Sequence, residues 1–169
     1  LDRIGRARTQ AVHDGIDQMH ISTLDLRTSF WQRMVAEESR QYLAFSTSVG
    51  HFQWTCLPMG MVNSSAEMQR YSESLLRRFS HDQIFEYVSA DGARKKVRGL
   101  AVVYIDDAAV VSFGDADGHE YLLRAVLQVM EDNNVRLQPA KCEFFRSSAD
   151  FLGHVFSMEG ISQQPTKIQ

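Results

Sequence analysis

Two adjacent acids interrupt a long apolar stretch in the middle of the chain. Asp106 and Asp107 stand between the largely apolar segments 100–105 and 108–113. Leaving a carboxylate desolvated and unpaired is costly, so these acids must lie at a solvated turn or bind a cation. An ordinary hairpin turn is the alternative, because aspartate tolerates turn dihedrals well. The pair therefore predicts either a turn or a cation site.

A third acid, Asp25, lies between Leu24 and Leu26 at the end of a predicted strand. Helix capping is its alternative role, since residues 27–31 can turn helically after it. If the strands bearing Asp25 and Asp106 are neighbours, their carboxylates converge on one rim and can bind two Mg²⁺ ions through oxygen ligands. Two such ions suit phosphoryl transfer, because they activate an attacking hydroxyl and stabilise the leaving oxygen.

Composition limits the class of protein that can carry these acids. The chain of 169 residues is 44% hydrophobic and 23% charged, which suits one compact domain. Cys56 and Cys142 have no zinc-ligand spacing, so free thiols are expected. A net charge of −3 argues against a wholly basic nucleic-acid clamp, so any charge that grips phosphates must be local or come from other segments.

The sequence predicts neither a membrane-spanning segment nor a signal peptide. No apolar run approaches the length of a bilayer span, and the first residues lack the apolar core of a signal peptide. The sequence therefore predicts an intracellular protein, cytoplasmic or nuclear, without a membrane partner.

Periodicity and turn signals predict the elements that position the acids. Helices are predicted over 1–17, from Ser64 and over 117–131, with Ser64 to Glu67 as a capping box. Strands are predicted over 21–26, 100–105, 108–113, 142–145 and 151–156, with hairpins from 42–45 and 52–56 and around Asp91-Gly92. This order predicts an α+β domain with helices on one face of a mainly antiparallel sheet.

Five motifs, taken in order, resemble the reverse transcriptases of gypsy-type LTR retroelements. They are Leu24-Asp25-Leu26-Arg27-Thr28-Ser29-Phe30; Ala44-Phe45 through Gly50-His51-Phe52-Gln53-Trp54; Leu57-Pro58-Met59-Gly60-Met61-Val62-Asn63 with Gln69-Arg70; Tyr104-Ile105-Asp106-Asp107; and Lys141-Cys142 with Phe151-Leu152-Gly153-His154. Each motif alone is moderately specific, and five in the right order are hard to obtain by chance.

The resemblance implies a polymerase palm whose antiparallel sheet is ferredoxin-like. It implies that Asp25 and Asp106 ligate two Mg²⁺ ions, for which Mn²⁺ can substitute, that Asp107 supports them, and that the Leu26 carbonyl adds a ligand. It further implies substrate contacts by Phe30 at the sugar 2′ position, Met59 and Gly60 beneath the nucleotide, Tyr104 near the primer end, Lys141 near the triphosphate, and Phe151, Leu152, Gly153 and His154 as a primer grip. Core packing is the alternative for Phe30, and a solvated surface lysine for Lys141.

The implied organisation is one palm over 1–169, with part of the fingers in 39–60. The N-terminal fingers, thumb and RNase H domain are expected outside this chain, in the rest of a retroelement polyprotein. The implied activity is RNA-directed DNA polymerisation on an RNA or DNA template with a primer and dNTPs.

Two rival hypotheses remain at this point. One is a non-catalytic palm remnant that binds nucleic acid or protein. The other is an unrelated ferredoxin-like domain with an Asp-Asp turn, which predicts that Asp25 and Asp106 lie far apart.

Overall fold

Residues 2–163, which the structure describes, form four α-helices and ten β-strands in this computed structural model. The helices are α1 (Asp2–His13), α2 (Glu37–Arg40), α3 (Ser64–Leu75) and α4 (Ala116–Asp132). The strands are β1 (Met19–Asp25), β2 (Ala44–Thr47), β3 (Gly50–Gln53), β4 (Gln83–Val88), β5 (Arg94–Tyr104), β6 (Asp107–Phe113), β7 (Glu143–Arg146), β8 (Ser148–Phe151), β9 (His154–Ser157) and β10 (Ile161–Gln163). Short 3₁₀ helices lie at Ser29–Gln32, Gln41–Leu43, Arg77–Phe79 and Pro139–Lys141.

The strands form three antiparallel sheets. The central sheet has the order β4-β5-β6-β1-β7, a second sheet has the order β10-β9-β8, and β2 pairs with β3 alone. The predicted α+β class with a mainly antiparallel sheet is confirmed. β6 lies in the middle of the central sheet, so the strand that begins with Asp107 is held on both sides.

Side chains of the central sheet point alternately to two apolar cores. On β6, Ala108 and Val110 join the core under α3 and α4, whereas Ala109 and Val111 join the core under α1 and the β8–β9 hairpin. A strand buried on both faces favours apolar residues at nearly every position, which explains the nearly unbroken apolar run. The expectation of helices on one face holds for α3 and α4. It does not extend to α1, which covers the opposite face because Ile4, Ala7 and Ala11 are buried there.

Local signals placed most elements to within a few residues. The first helix ends at His13 rather than at residue 17, because the chain turns at Gly15, whose φ is 77°. The predicted capping box at Ser64 is wrong: Asn63 is the N-cap, without a side-chain cap. The Ser64 hydroxyl is buried and donates instead to the Pro58 carbonyl at 2.7 Å, so it anchors the preceding loop.

Within 2–163, no helix combines the length and the apolar character needed to cross a bilayer.

Candidate active site

The three predicted catalytic acids meet at one end of the central sheet, where β1 ends and β6 begins. Asp25 is the last residue of β1 and pairs with Asp107, the first residue of β6. Tyr104, the last residue of β5, also pairs with Asp107, so Ile105 and Asp106 form a two-residue turn between β5 and β6. The Leu26 amide donates to the Asp106 carbonyl at 3.0 Å, which fastens this turn to the end of β1.

This register excludes two of the alternatives. Asp25 and Asp106 do not lie far apart, so an unrelated domain with a remote Asp-Asp turn is ruled out. Asp25 does not cap the helical turn after it either, because the N-cap of Ser29–Gln32 is Thr28, which makes no side-chain cap. The carboxyl groups therefore share one rim of the sheet, as a cation site built on neighbouring strands requires.

Crowding of like charges marks this rim. Burial raises the pKa of Asp107, and the neighbouring carboxylates of Asp106 and Asp25 raise it further, while Lys141 acts in the opposite direction. Lys141 Nζ lies 3.5 Å from Asp25 Oδ2, so one cationic side chain already faces the acids. A bound cation would relieve the same repulsion, since an opposite charge favours the ionised carboxylate.

The donor set suits Mg²⁺, although the side chains are not arranged as a ligand shell. Carboxylate oxygens are the ligands that this hard cation prefers. Yet within residues 2–163 no three His, Cys, Asp or Glu side chains are grouped so as to hold a metal ion. The backbone brings the three acids together, and their assignment as metal ligands stays a prediction.

Two side chains of α3 support the turn: Gln69, which belongs to the third motif but had no predicted role, and Ser72, which no motif includes. Gln69 Oε1 accepts from the Ile105 amide at 2.6 Å, and Ser72 Oγ donates to the Ile105 carbonyl at 2.8 Å. A signal existed for Ser72, because this polar residue lies one turn from both Met68 and Leu76 on the buried face of the helix. Nothing in the sequence indicates that its partner is the peptide before Asp106.

Predicted nucleotide contacts lie on segments that flank this rim. Phe30, in the 3₁₀ helix after β1, is half-buried against the core under α3 and α4, so the core-packing alternative holds for part of its ring. Met59 lies between β3 and α3 with 60% of its surface exposed, next to Gly60, whose φ is 83°. Tyr104 is exposed at the end of β5. The roles of these residues in substrate binding remain predictions.

The predicted primer grip forms the turn between β8 and β9. Leu152 and Gly153 are the turn residues, with φ of 52° and 76°, and His154 Nδ1 lies 3.1 Å from the Leu152 carbonyl. Phe151 is only 5% exposed and packs against Phe156, so its side chain supports the hairpin from inside the core. Any contact with a primer has to come from the other three residues.

The sequence of this chain matches one protein family. Residues 4–156 match the family described as reverse transcriptase (RNA-dependent DNA polymerase). The chain belongs to the reverse transcriptase family. Reverse transcriptases use divalent metal ions, which agrees with the oxygen donors at this rim.

Curated relatives are retroelement and viral polyproteins. The chain is 31% identical over 150 residues to the retrovirus-related Pol polyprotein from transposon 297 of Drosophila melanogaster, covering 89% of this chain and 12% of the relative. It is 28% identical to the corresponding polyprotein from transposon gypsy of the same organism, covering 88% and 13%. The enzymatic polyprotein of Figwort mosaic virus is 30% identical, covering 78% and 17%. The resemblance to gypsy-type elements is thus confirmed, and this chain spans a small part of each relative.

Solved structures show the same fold. The foamy viral protease-reverse transcriptase in complex with an RNA/DNA hybrid superposes with a TM-score of 0.69 at 23% identity, covering 89% of this chain and 18% of that one. The same kind of protein from prototype foamy virus in its native form gives a TM-score of 0.63 at 26% identity, covering 84% and 17%. The fold predicted for this reverse transcriptase chain is therefore confirmed.

Proposed function

We propose that this chain is the palm of an RNA-directed DNA polymerase encoded by a retroelement. The primer 3′ hydroxyl attacks the α-phosphate of a dNTP, a P–O bond forms to the primer, and the bond to pyrophosphate breaks. The observation that carries the proposal is the pairing of Asp25 with Asp107 beside the Ile105-Asp106 turn, in a chain of the reverse transcriptase family.

In this proposal, Asp25 and Asp106 hold two Mg²⁺ ions, Asp107 supports them, and the Leu26 carbonyl adds an oxygen. When bound, the ions would supply a more acidic primer hydroxyl and a stabilised leaving oxygen. The acids need no large rearrangement of the backbone for this role, because the strand register already sets them side by side.

Lys141 is proposed to serve the incoming triphosphate. Its ammonium group now lies near the Asp25 carboxylate, and the side chain is 68% exposed. A flexible, exposed ammonium can turn from one anion to another at little cost, since an exposed ion pair contributes roughly 0–1 kcal/mol. Binding of cations to Asp25 would release Lys141 towards the phosphates.

The remaining substrate contacts follow the motif order. Phe30 is proposed to limit the space at the sugar 2′ position, Met59 and Gly60 to lie beneath the nucleotide, and Tyr104 to contact the primer end. Leu152, Gly153 and His154 are proposed to hold the primer. Affinity for template and primer is expected to come mostly from other parts of a polyprotein, because the net charge of this chain is −3.

Primer extension on an RNA template with dNTPs and Mg²⁺ tests the proposal. This chain and a form extended at both ends within its polyprotein should be compared, each with Asp106→Asn and with Asp132→Asn, a matched change on the far end of α4. Incorporation that Asp106→Asn reduces to background, and that Asp132→Asn leaves intact, supports the proposal. An inactive extended form with intact folding would contradict it and favour a non-catalytic palm that binds nucleic acid or protein.

A further inference from the structure

The residue before Asp106 has an unusual backbone conformation. Ile105 has a φ of 56°, in the left-handed region that β-branched residues rarely adopt. Such a conformation persists only when surrounding groups hold it in place. Because Ile105 directly precedes Asp106, rotation of its backbone would change the direction of the Asp106 side chain.

Gln69 of α3 holds Ile105 in the manner of a neighbouring strand. Its Oε1 accepts from the Ile105 amide at 2.6 Å, and its Nε2 lies 3.4 Å from the Val103 carbonyl. Both backbone groups point to the edge of β5 that β4 leaves open, since the β4–β5 ladder stops at the pair Gln83 and Gly99. One carboxamide therefore stands where the peptide group of a further strand would be.

A second contact fixes which way this carboxamide points. Gln69 Nε2 donates to Glu73 Oε1 at 2.8 Å, one turn further along α3. Because the carboxylate can only accept, the nitrogen must face Glu73, and the oxygen is left for the Ile105 amide. Ser72, which is 1% exposed, donates to the Ile105 carbonyl at 2.8 Å. Both backbone polar groups of Ile105 are thus satisfied by side chains of one helix.

We propose that Gln69 and Ser72 are positioning residues that keep Ile105 in the left-handed conformation and so direct Asp106 towards the bound cations. The part that concerns cations rests on the proposed function. The part that concerns the turn rests on the hydrogen bonds and the strained φ alone. Loss of either contact leaves a polar group of the turn without its partner, which favours relaxation of Ile105 to an ordinary φ.

Amide hydrogen exchange of the chain, resolved at Ile105 by NMR, tests the turn. Gln69→Met keeps the length of the side chain and removes its hydrogen bonds. Its matched control is Gln128→Met on α4, where the carboxamide donates to Glu131 and Asp132 of the same helix and, among residues 2–163, makes no other hydrogen bond. Exchange at Ile105 should be about tenfold faster in Gln69→Met, in proportion to one lost hydrogen bond, and unchanged in the control.

Mn²⁺ titration of the same variants tests the link to Asp106. Gln69→Met should weaken Mn²⁺ binding about tenfold at an unchanged fold, whereas Gln128→Met should not weaken it. Ser72→Ala, with exposed Ser74→Ala as its control, gives an independent variant if Gln69→Met lowers the melting temperature.

The outcomes distinguish a failure of the role inferred for Gln69 and Ser72 from a failure of the proposed cation site. Unchanged exchange at Ile105, or full Mn²⁺ affinity in Gln69→Met where Asp106→Asn abolishes binding, overturns the inference. A parent chain that binds no Mn²⁺ overturns the proposed cation site instead, and the exchange rates then decide the role of Gln69 and Ser72 in the turn.

Discussion

Asp25 and Asp107 face each other as the terminal pair of the antiparallel β1–β6 ladder. Asp106 lies in the turn next to this pair, so three carboxyl groups crowd one end of the central sheet, beside the buried apolar residues of β5 and β6. Repulsion among them disfavours the fully ionised state when no cation is bound. The same crowding favours a bound divalent cation, because an opposite charge relieves the repulsion.

Asp107→Asn should stabilise the chain at neutral pH. The pKa of Asp107 is raised by burial and by Asp106 and Asp25, so the folded state binds more protons than the unfolded state. The free energy of unfolding therefore falls as the pH rises from 3.8, the pKa of Asp107 in the unfolded chain, through its raised pKa in the folded chain. The variant should gain under about 1 kcal/mol at pH 7, because Asp107 is partly exposed and solvent screens the repulsion.

Melting temperatures at pH 3, 5 and 7 measure this effect, with Asp150→Asn as an exposed control. The gain should vanish at the lowest pH and should shrink at pH 7 when Mg²⁺ is added. A gain that is the same at all three pH values would show that charge repulsion is not its cause.

Protonation of His119 should lower the free energy of unfolding as the pH falls below 6.5. Burial, and to a smaller extent the charge of His20, lowers the pKa of His119 to about 4. Both ring nitrogens lie 2.8 Å from hydroxyls, those of Ser22 and Ser112. The folded state keeps the ring neutral while the unfolded state takes up a proton, so stability is complete above pH 6.5 and declines towards pH 4. At about 1.4 kcal/mol per pH unit, this loss is on the order of 3 kcal/mol.

Urea unfolding between pH 7 and pH 4 checks the role of His119. His119→Gln should be less stable at pH 7, because a buried serine loses a partner, but should show a flatter pH dependence over this range. An unchanged pH profile in the variant would assign the acid sensitivity to other groups.

Gly99→Ala should be strongly destabilising. A Cβ at this position would lie 2.7 Å from the Val111 carbonyl oxygen and 2.6 Å from Leu122 Cδ2 of α4. The backbone of a neighbouring strand cannot move away, so the cost should be about 1–3 kcal/mol in the free energy of unfolding. Gly5→Ala on α1 is the matched control, since its nearest neighbour would be Ile161 Cδ1 at 3.4 Å. The control should be neutral or gain about 0.5–1 kcal/mol, and equal losses in both variants would contradict the packing argument.

Phe30→Ala should relax discrimination against ribonucleotides. The proposed role of this ring is to fill the space at the sugar 2′ position. The ring is half-buried and packs against the core under α3 and α4, which keeps it in that position. Loss of the steric barrier should raise ribonucleotide relative to deoxyribonucleotide incorporation by roughly 10–200-fold in primer extension by the extended form. A fall in both activities without a change in their ratio would indicate that Phe30 acts only in packing.

The acids at this end of the sheet could be predicted because the signals for the strands that carry them are local. Apolar runs on either side of Asp106 and Asp107 predict two paired strands, and an acid that ends another strand, Asp25, predicts a shared rim if those strands are neighbours. The pairing itself is a long-range relation that no local pattern contains. It came from the resemblance of the motif order to a family, and the observed register supports it.

Contacts between side chains and distant backbone were not predictable in the same way. Gln69 and Ser72 bond to the peptide of Ile105, more than thirty residues away, and polar residues on a helix carry no mark of such a partner. Ser64 shows the same limit, because its pattern is typical of a capping box while its buried hydroxyl bonds to Pro58. The placement of α1 depends on a second core, which is visible only once the strands are known to be buried on both faces.

Anomalous scattering from a crystal of the chain grown with Mn²⁺ and a dNTP tests the central claim most directly. Mn²⁺ should bind between Asp25 and Asp106, with Asp107 adjacent, and its anomalous signal should be lost in Asp106→Asn. A well-ordered chain with Mn²⁺ absent from this rim would contradict the claim that these acids form the cation site of a polymerase.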